Sequence, residues 1–577
     1  MADCDLLIRG GTIADGKGGE PYPGDVAIAE GKIVHVGADF EGKARETIDA
    51  AGLLVTPGFV DIHTHYDGQA TWSEELSPSS SHGVTTVVAG NCGVGFAPCR
   101  PEDRDALIEV MEGVEDIPGV VMADGLPWDW ETFPDYLNAL ETRAHDIDVG
   151  VFLPHSPLRV YAMGERGIER AGALSEDLSR MRDLAREALK AGALGFASSR
   201  LMIHKTLAGA QIPSFDADMA EIAAICEALG DADTGVLQIV LNVPFADWGD
   251  ELAPIIAIAE RTGRPITFTL GLPNQPNRNW DEALKLCDEA RTRGVEVWPQ
   301  LLPRPVGMIS GWDLSTNPFC QCPSYLEIAK LPLEEKLQYL RDPAFRDTLL
   351  SEKPAEGHPL AMMTRDWDWI FPLDDPPDYE PGRDTSIAAL AAASGRSPEQ
   401  LAYDQLMNGG VGDGMLYVAL GNLHAGSLDE VHALMNRKDV VLGLGDGGAH
   451  YSAICDASYT THILTHWTRD RDGERLSVGH AVHHLAARPA QAIGLHDRGR
   501  LAVGCKADVN VIDLERLKLH KPVIRRDLPG GGRRLDQGAS GYVATICGGE
   551  VIRRNDKATG ARPGRLIRGA KPEPAAA

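Results

Sequence analysis

Between residues 53 and 448 the chain alternates between two hydrophobic patterns. Short apolar runs recur: "LLVTPGFVDIH", "TTVVAGN" (85–91), "DVGVFLPH" (148–155), "GALGFASS" (192–199), "GVLQIVLN" (235–242), "RPITFTL" (264–270), "VEVWPQLL" (295–302) and "DVVLGLGDGG" (439–448). Their length and β-branched content predict buried strands. Between them, "SEDLSRMRDLAREALKAG", "DADMAEIAAICEALG" and "NWDEALKLCDEARTRG" carry Leu, Met and Ala at helical spacing and close on Gly. Strand–helix repetition predicts an α/β protein with a parallel sheet. Eight units predict a (β/α)8 TIM barrel over 56–495.

The two ends have a different texture. Residues 1–55 and 496–560 read as short strands punctuated by Gly or Asp, as in "DVAIAEGKIVHVG" and "GYVATICGGEVIRRND". They predict one small β-sandwich domain formed from both termini, followed by a flexible tail at 561–577. Residues 303–438 are too long for a normal βα connection, and "MTRDWDWIFPLDDPPDYEPG" within them is rich in aromatics and proline. Such an excursion forms either a lid on the active face or a cover or subunit interface.

Composition narrows the function classes. A net charge of −29 excludes nucleic acid and anionic membrane as natural partners, since phosphate binding needs clustered Lys and Arg. It leaves a small-molecule substrate open and does not decide whether the chain forms a homo-oligomer. No run of about 18 apolar residues predicts a transmembrane helix. "MADCDLLIRGGTIADG" lacks the basic and apolar regions of an export signal, so the cytoplasm is the expected location. Ten scattered cysteines then read as thiols or ligands rather than disulfides.

The chemistry collects at strand ends. In "TPGFVDIHTHYDG", His63 and His65 are spaced to project to one side of the first strand. They stand at its C-terminal end, where barrels of this kind hold their active sites. Two neighbouring imidazoles suit a divalent metal. The eighth strand ends in "LGLGDGGAH", which places Asp446 opposite them if strands one and eight are neighbours.

"PGFVDIHTHYD", "GLGDGGAH" and "GRLAVGCKADVNVIDL" resemble the amidohydrolase superfamily. "TTVVAGNCGVGFAP", "PWDWETFPDYLNAL", "LPHSPLRVYAMG" and "REALKAGALGFASS" are similar to its N-acyl-D-amino-acid deacylase (D-aminoacylase) branch. The resemblance runs from about residue 3 to 555. It implies a (β/α)8 barrel flanked by a small β-sandwich and a metal, usually Zn2+, that activates water. It also implies His63, His65, Asp446 and Cys92 as ligands, with Asp446 moving protons. Likeness and position place His155 and Arg159 near substrate, Arg159 as a fork for a carboxylate or as a pin for its loop.

The family usually carries one histidine on strand five and one on strand six. Here Gln238 and Thr267 or Thr269 stand near those positions. Either one metal is held by His63, His65, Asp446 and Cys92, or replacement ligands allow two. His204 and Lys205, just after strand four, are the candidate recruits, and His450 could orient substrate or Asp446. The Trp-rich stretches around Trp128, Trp130, Trp367 and Trp369 could wall an apolar acyl pocket or belong to the core.

The expected activity is metal-dependent hydrolysis of a linear amide, of an N-acyl (D-)amino acid or related compound, with Asp446 as general base and acid. A cyclic amide or lactone hydrolase is the second enzymatic reading. A non-catalytic scaffold or binding protein is the reading from another class.

Overall fold

The computed structural model describes residues 3–243, 245–354 and 358–574. The first strands are β1 (Cys4–Ile13), β2 (Tyr22–Ala29), β3 (Lys32–Gly37), β4 (Ala44–Asp49) and β5 (Leu54–Pro57). They form one nine-stranded sheet with four C-terminal strands, joined where β5 pairs antiparallel with Val509–Ile512. Alternate residues from both chain ends, among them Ile8, Val26, Val55, Val509 and Ile546, fill one core on this sheet. The period-2 apolar pattern of the two termini thus becomes a single shared interior.

The middle of the chain builds a parallel α/β body. β6 (Phe59–Asp61), β7 (Val84–Ala89) and β8 (Asp148–Val151) form one parallel arc. β9 (Leu153–Pro154), β10 (Gly195–Ser199), β11 (Val236–Val240), β12 (Ile266–Thr269) and β13 (Val297–Leu301) form a second, and Val441–Leu442 is its outermost strand. Almost every residue of these strands is buried, which is why they read as continuous apolar runs rather than alternating ones.

The arcs meet at both margins. Only Phe152 separates β8 from β9, and its N–H donates to the Ala89 carbonyl at 2.9 Å. On the other side Asp446 N–H donates to His63 O at 3.1 Å and His65 N–H to Gly447 O at 2.8 Å. Backbone bonds therefore lock the segment after β6 to the segment after the last parallel strand. Gly448, at φ +90°, allows this approach, because a Cβ there would lie 2.7 Å from the His65 carbonyl oxygen.

One expectation about a peripheral segment is corrected. Residues 561–574 are laid against the α/β body rather than forming a flexible tail. Gly564 bridges His145, Leu566 bridges Val149, Lys571 bridges Leu495, and Ile567 is buried. Residues 575–577 of that segment lie outside the described residues. Of the two readings open for the tryptophans, core packing is the one the structure carries. Trp130 is buried with its indole N–H donated to Phe96 O, and Trp128 packs edge-on against Phe96. Trp369 is buried in the core, and Trp367 packs against a second aromatic core within 303–438.

That excursion has its own three-stranded antiparallel sheet, of which β14 (Val306–Ser310) is one edge. Trp312 stacks with Phe319 and Tyr325 in its interior. It reaches the loop beyond Asp446, where Ile309 N–H donates to Ala453 O and Ser315 N–H to Ser452 O. No helix among the described residues is long and apolar enough to cross a membrane.

Candidate active site and metal centre

The site sits where the parallel strands end. His63 and His65, both about 1% exposed, follow β6 and face inward. His63 Nδ1 lies 2.6 Å from Gln300 Oε1 on β13. An amide oxygen can only accept, so Nδ1 carries the hydrogen and the Nε2 lone pair is free. That lone pair points at Cys92 Sγ, 3.3 Å away, and at Asp446 Oδ1, 3.6 Å away. A histidine whose second nitrogen is fixed by an oxygen acceptor is the usual form of a metal-ligating imidazole.

Cys92 stands at φ +55° between Gly90 and Gly93, which are also left-handed. Its N–H donates to Gln238 Oε1 at 3.0 Å. Gln238, on β11 near the position where the family carries a histidine, thus holds Cys92 in its strained turn. Thr267 turns away, its hydroxyl donating to Trp298 O at 2.8 Å. Among the described residues, His63, His65 and Cys92 are a group whose donor atoms all lie within 4.8 Å of one another.

Asp446 Oδ1 is 3.6 Å from both His63 Nε2 and His65 Nε2 and has no hydrogen-bond partner. One residue that the sequence did not single out joins the cluster. Glu115, at the C-terminal end of α1 (Arg104–Glu115), is 1% exposed, and its Oε2 lies 3.4 Å from His65 Nε2 and from His450 Nε2. His450 N–H also donates to the Glu115 backbone carbonyl. His204 is tied through Nδ1 to Ser199 Oγ at 2.9 Å, at the end of β10. Lys205 beside it bridges Gln211 through the backbone.

The electrostatics are those of a cation site. Burial, then the mutual influence of neighbouring imidazoles, drives His204 down to about 3, and burial takes His450 to about 4. His63 also falls to about 4 through burial, despite Gln300. Burial, then Glu115 and Asp446, pushes the Cys92 thiol up. Burial, then nearby carboxylates, raises Glu115 and Asp446, while burial brings Asp61 and Asp67 to about 7. No lysine or arginine among the described residues lies within 4 Å of the Glu115 or Asp446 carboxylate. Acids, a thiol and neutral imidazoles converge without a positive partner, and a divalent ion reverses every one of these penalties. The donor set fits such an ion.

His155 and Arg159 do not line this cluster, which corrects the expectation of substrate contact. Both lie on α2 (His155–Met163) and are fully buried. They converge on Glu221 of α3 (Met219–Asp231), whose Oε1 is 2.9 Å from His155 Nε2 and 2.8 Å from Arg159 Nε. The remaining Arg159 donors go to the carbonyls of Pro213, Gly167 and Ala171. Its fork is fully used inside the protein, so Arg159 is a pin.

Gly113 shows how tightly the loop bearing His204 is set. A Cβ at this position of α1 would lie 2.2 Å from Lys205 O and 2.5 Å from Thr206 Cα. At an open helical site, exchanging Gly for Ala gains about 1 kcal/mol. Here the clash with backbone outweighs that gain, and Gly113→Ala is expected to cost about 1–3 kcal/mol. The check is its melting temperature against that of Gly172→Ala, where a Cβ meets nothing within 4 Å. An unchanged melting temperature for Gly113→Ala would show that the loop yields freely.

The amidohydrolase family profile matches residues 46–553, and the chain belongs to that family. Its relatives carry the comparison into the branch expected from the sequence. The D-aminoacylase of Alcaligenes xylosoxydans xylosoxydans is 30% identical over 295 residues, covering 50% of this chain and 55% of that protein. The chain thus matches just over half the length of that relative. The N-acyl-D-glutamate deacylase of the same organism is 27% identical over 524 residues, covering 89% of this chain and 88% of its own. Among solved structures, N-acyl-D-glutamate deacylase from Bordetella bronchiseptica, complexed with zinc and a phosphonate inhibitor, superposes with a TM-score of 0.64 at 22% identity. That match covers 98% of this chain and 99% of the other, so the fold is shared.

Proposed function

We propose that the protein is a metal-dependent hydrolase that cleaves the linear amide bond of an N-acyl D-amino acid. The two parallel arcs, hydrogen-bonded at both margins, are read as one (β/α)8 barrel with the site at its C-terminal mouth. The observation that carries the reading is the convergence of His63, His65 and Cys92 donors within 4.8 Å, with Asp446 Oδ1 equidistant from the two imidazoles. Nitrogen, thiolate and carboxylate donors in this number suit zinc. The deacylase relatives supply the substrate class.

His63, His65 and Cys92 would hold the ion, with Asp446 beside it. When bound, the ion supplies Lewis acidity and brings water close to ionisation at neutral pH. Gln300 and Gln238 keep His63 and Cys92 in register for it. Asp446 takes the proton from the attacking water as the new C–O bond forms, then delivers it to the departing nitrogen as the C–N bond breaks. Burial alone raises the Asp446 carboxyl, and a bound ion would offset that, leaving the carboxylate free to take the proton.

The test is a panel of N-acyl D- and L-amino acids assayed with zinc-loaded protein. Release of the free D-amino acid is expected, abolished by a chelator and restored by zinc. Zinc-loaded protein that turns over none of the panel would overturn the reading.

A further inference from the structure

Large apolar side chains stand in water beside the catalytic cluster. Leu207, at 73%, is the most exposed of them among the described residues. Ile203 at 62% and Met202 at 37% share its loop, which follows β10, and Phe245 at 52% stands in the loop after β11. Both loops leave the C-terminal ends of their strands, the end at which His63 and His65 follow β6. His204, next to Ile203, lies near enough to His63 and His450 to feel their charge.

This exposure is built into the loop. Lys205 and Gln211 pair as an antiparallel bridge, and Thr206 N–H donates to Ala210 O and Gly209 N–H to Thr206 O, both at 2.8 Å, so Leu207 stands at the tip of a closed turn. Gln211 Nε2 donates to Met202 O, and Met202 N–H donates to Asn242 Oδ1, each at 3.0 Å. The second bond ties the turn to the loop that carries Phe245. Apolar side chains held in water add nothing to the fold, so a set of them in one place marks a binding surface. Area and chemistry narrow the occupant. At about 200 Å² for a side chain of this size, the four expose roughly 400–500 Å². A stable interface takes about 800 Å² from each partner, so the patch is too small for a second copy of the chain. An N-acyl amino acid has two ends. Its carboxylate calls for charge, whereas the acyl chain runs outward from the carbonyl held beside Asp446 and calls for apolar surface.

We propose that Met202, Ile203, Leu207 and Phe245 receive the acyl chain, and that the protein is selective for N-acyl D-amino acids with medium or long acyl chains over N-acetyl ones. The proposal rests on the hydrolase reading above and names its acyl group. It gives these two loops the part that the tryptophans, packed in the cores, do not play. Full burial of one methylene strengthens binding about fourfold, and half burial on an open rim about twofold.

The experiment measures kcat/KM of the zinc-loaded, full-length protein on acetyl, butanoyl, hexanoyl and octanoyl derivatives of the same D-amino acids. Octanoyl carries six more methylenes than acetyl, so its kcat/KM is expected to be about 50–100-fold higher. In Ile203→Ser/Leu207→Ser the octanoyl-to-acetyl ratio should fall about tenfold. Val34→Ser, at an exposed position of β3 in the terminal sheet, should leave the ratio unchanged. A flat series in the wild type would overturn the proposal, and so would an unchanged ratio in the double variant. Self-association of the wild type that the double variant abolishes would place a second copy on these loops and overturn it too. No turnover of any member of the series would instead sink the hydrolase reading itself.

Discussion

Exchanging Asp446 for asparagine is expected to lower kcat by about 10²–10⁴-fold while leaving the fold intact. The fold survives because the backbone of Asp446, not its side chain, joins the two margins of the site. Its N–H donates to His63 O, and its carbonyl accepts from Ala449 N–H. The residue stands at φ +46°, a conformation that asparagine adopts as readily as aspartate. The side chain makes no hydrogen bond that an amide would lose, since Oδ1 has no partner. What disappears is the ability to accept a proton in the buried space beside His63 and His65. The measurement is kcat on an N-acyl D-amino acid together with the melting temperature of the zinc-loaded variant. Full turnover by a stable Asp446→Asn variant would remove Asp446 as the proton carrier. Lost turnover with a collapsed melting temperature would trace the defect to the fold instead.

Much of this site was legible because strand periodicity fixes direction. The apolar run before His63 ends where the polar residues begin, and i, i+2 spacing sends His63 and His65 to one side. The glycines flanking Asp446 marked a tight turn, and the turn joins the segment after β6. Helix-borne residues were harder to read. Glu115 ends "RDALIEVMEGVE", where it looks like one more charged position on a solvated helix. Its burial comes from the His450 loop and the imidazoles closing over it, which are distant in sequence. Likeness and a place after the third parallel strand point His155 and Arg159 toward substrate. Their i, i+4 spacing was the better signal, because it puts both on one helical face. The partner was also visible in outline. In "DADMAEIAA", Asp218 caps the helix by accepting Glu221 N–H, which fixes the first turn where Glu221 meets that face.

Removing the charge of Glu221 should then be among the most damaging changes outside the cluster of His63, His65, Cys92 and Asp446. Glu221→Gln leaves Arg159 buried with no counter-charge, and breaking such a pair costs about 3–5 kcal/mol. The effect should reach the site, because His155 Nδ1 is 2.8 Å from Ser198 Oγ, and the next residue, Ser199, holds His204. The pH dependence has a definite sign. Burial alone would raise the Glu221 carboxyl, but the hydrogen bond and charge of His155 and the charge of Arg159 outweigh it and hold it below its ordinary 4.5. A depressed folded value means stability that is fully present above 4.5 and lost as the pH falls through the folded value. The gap in unfolding free energy between wild type and Glu221→Gln should therefore be widest near neutrality and narrow in acid. Equilibrium denaturation at a series of pH values measures it. Arg159→Met/Glu221→Met should recover part of the loss, since apolar replacement of a buried pair is often tolerated. Recovery stays partial because His155 Nε2 and the carbonyls of Pro213 and Ala171 lose their partners. A gap that stayed constant with pH would mean that Glu221 acts through packing rather than charge.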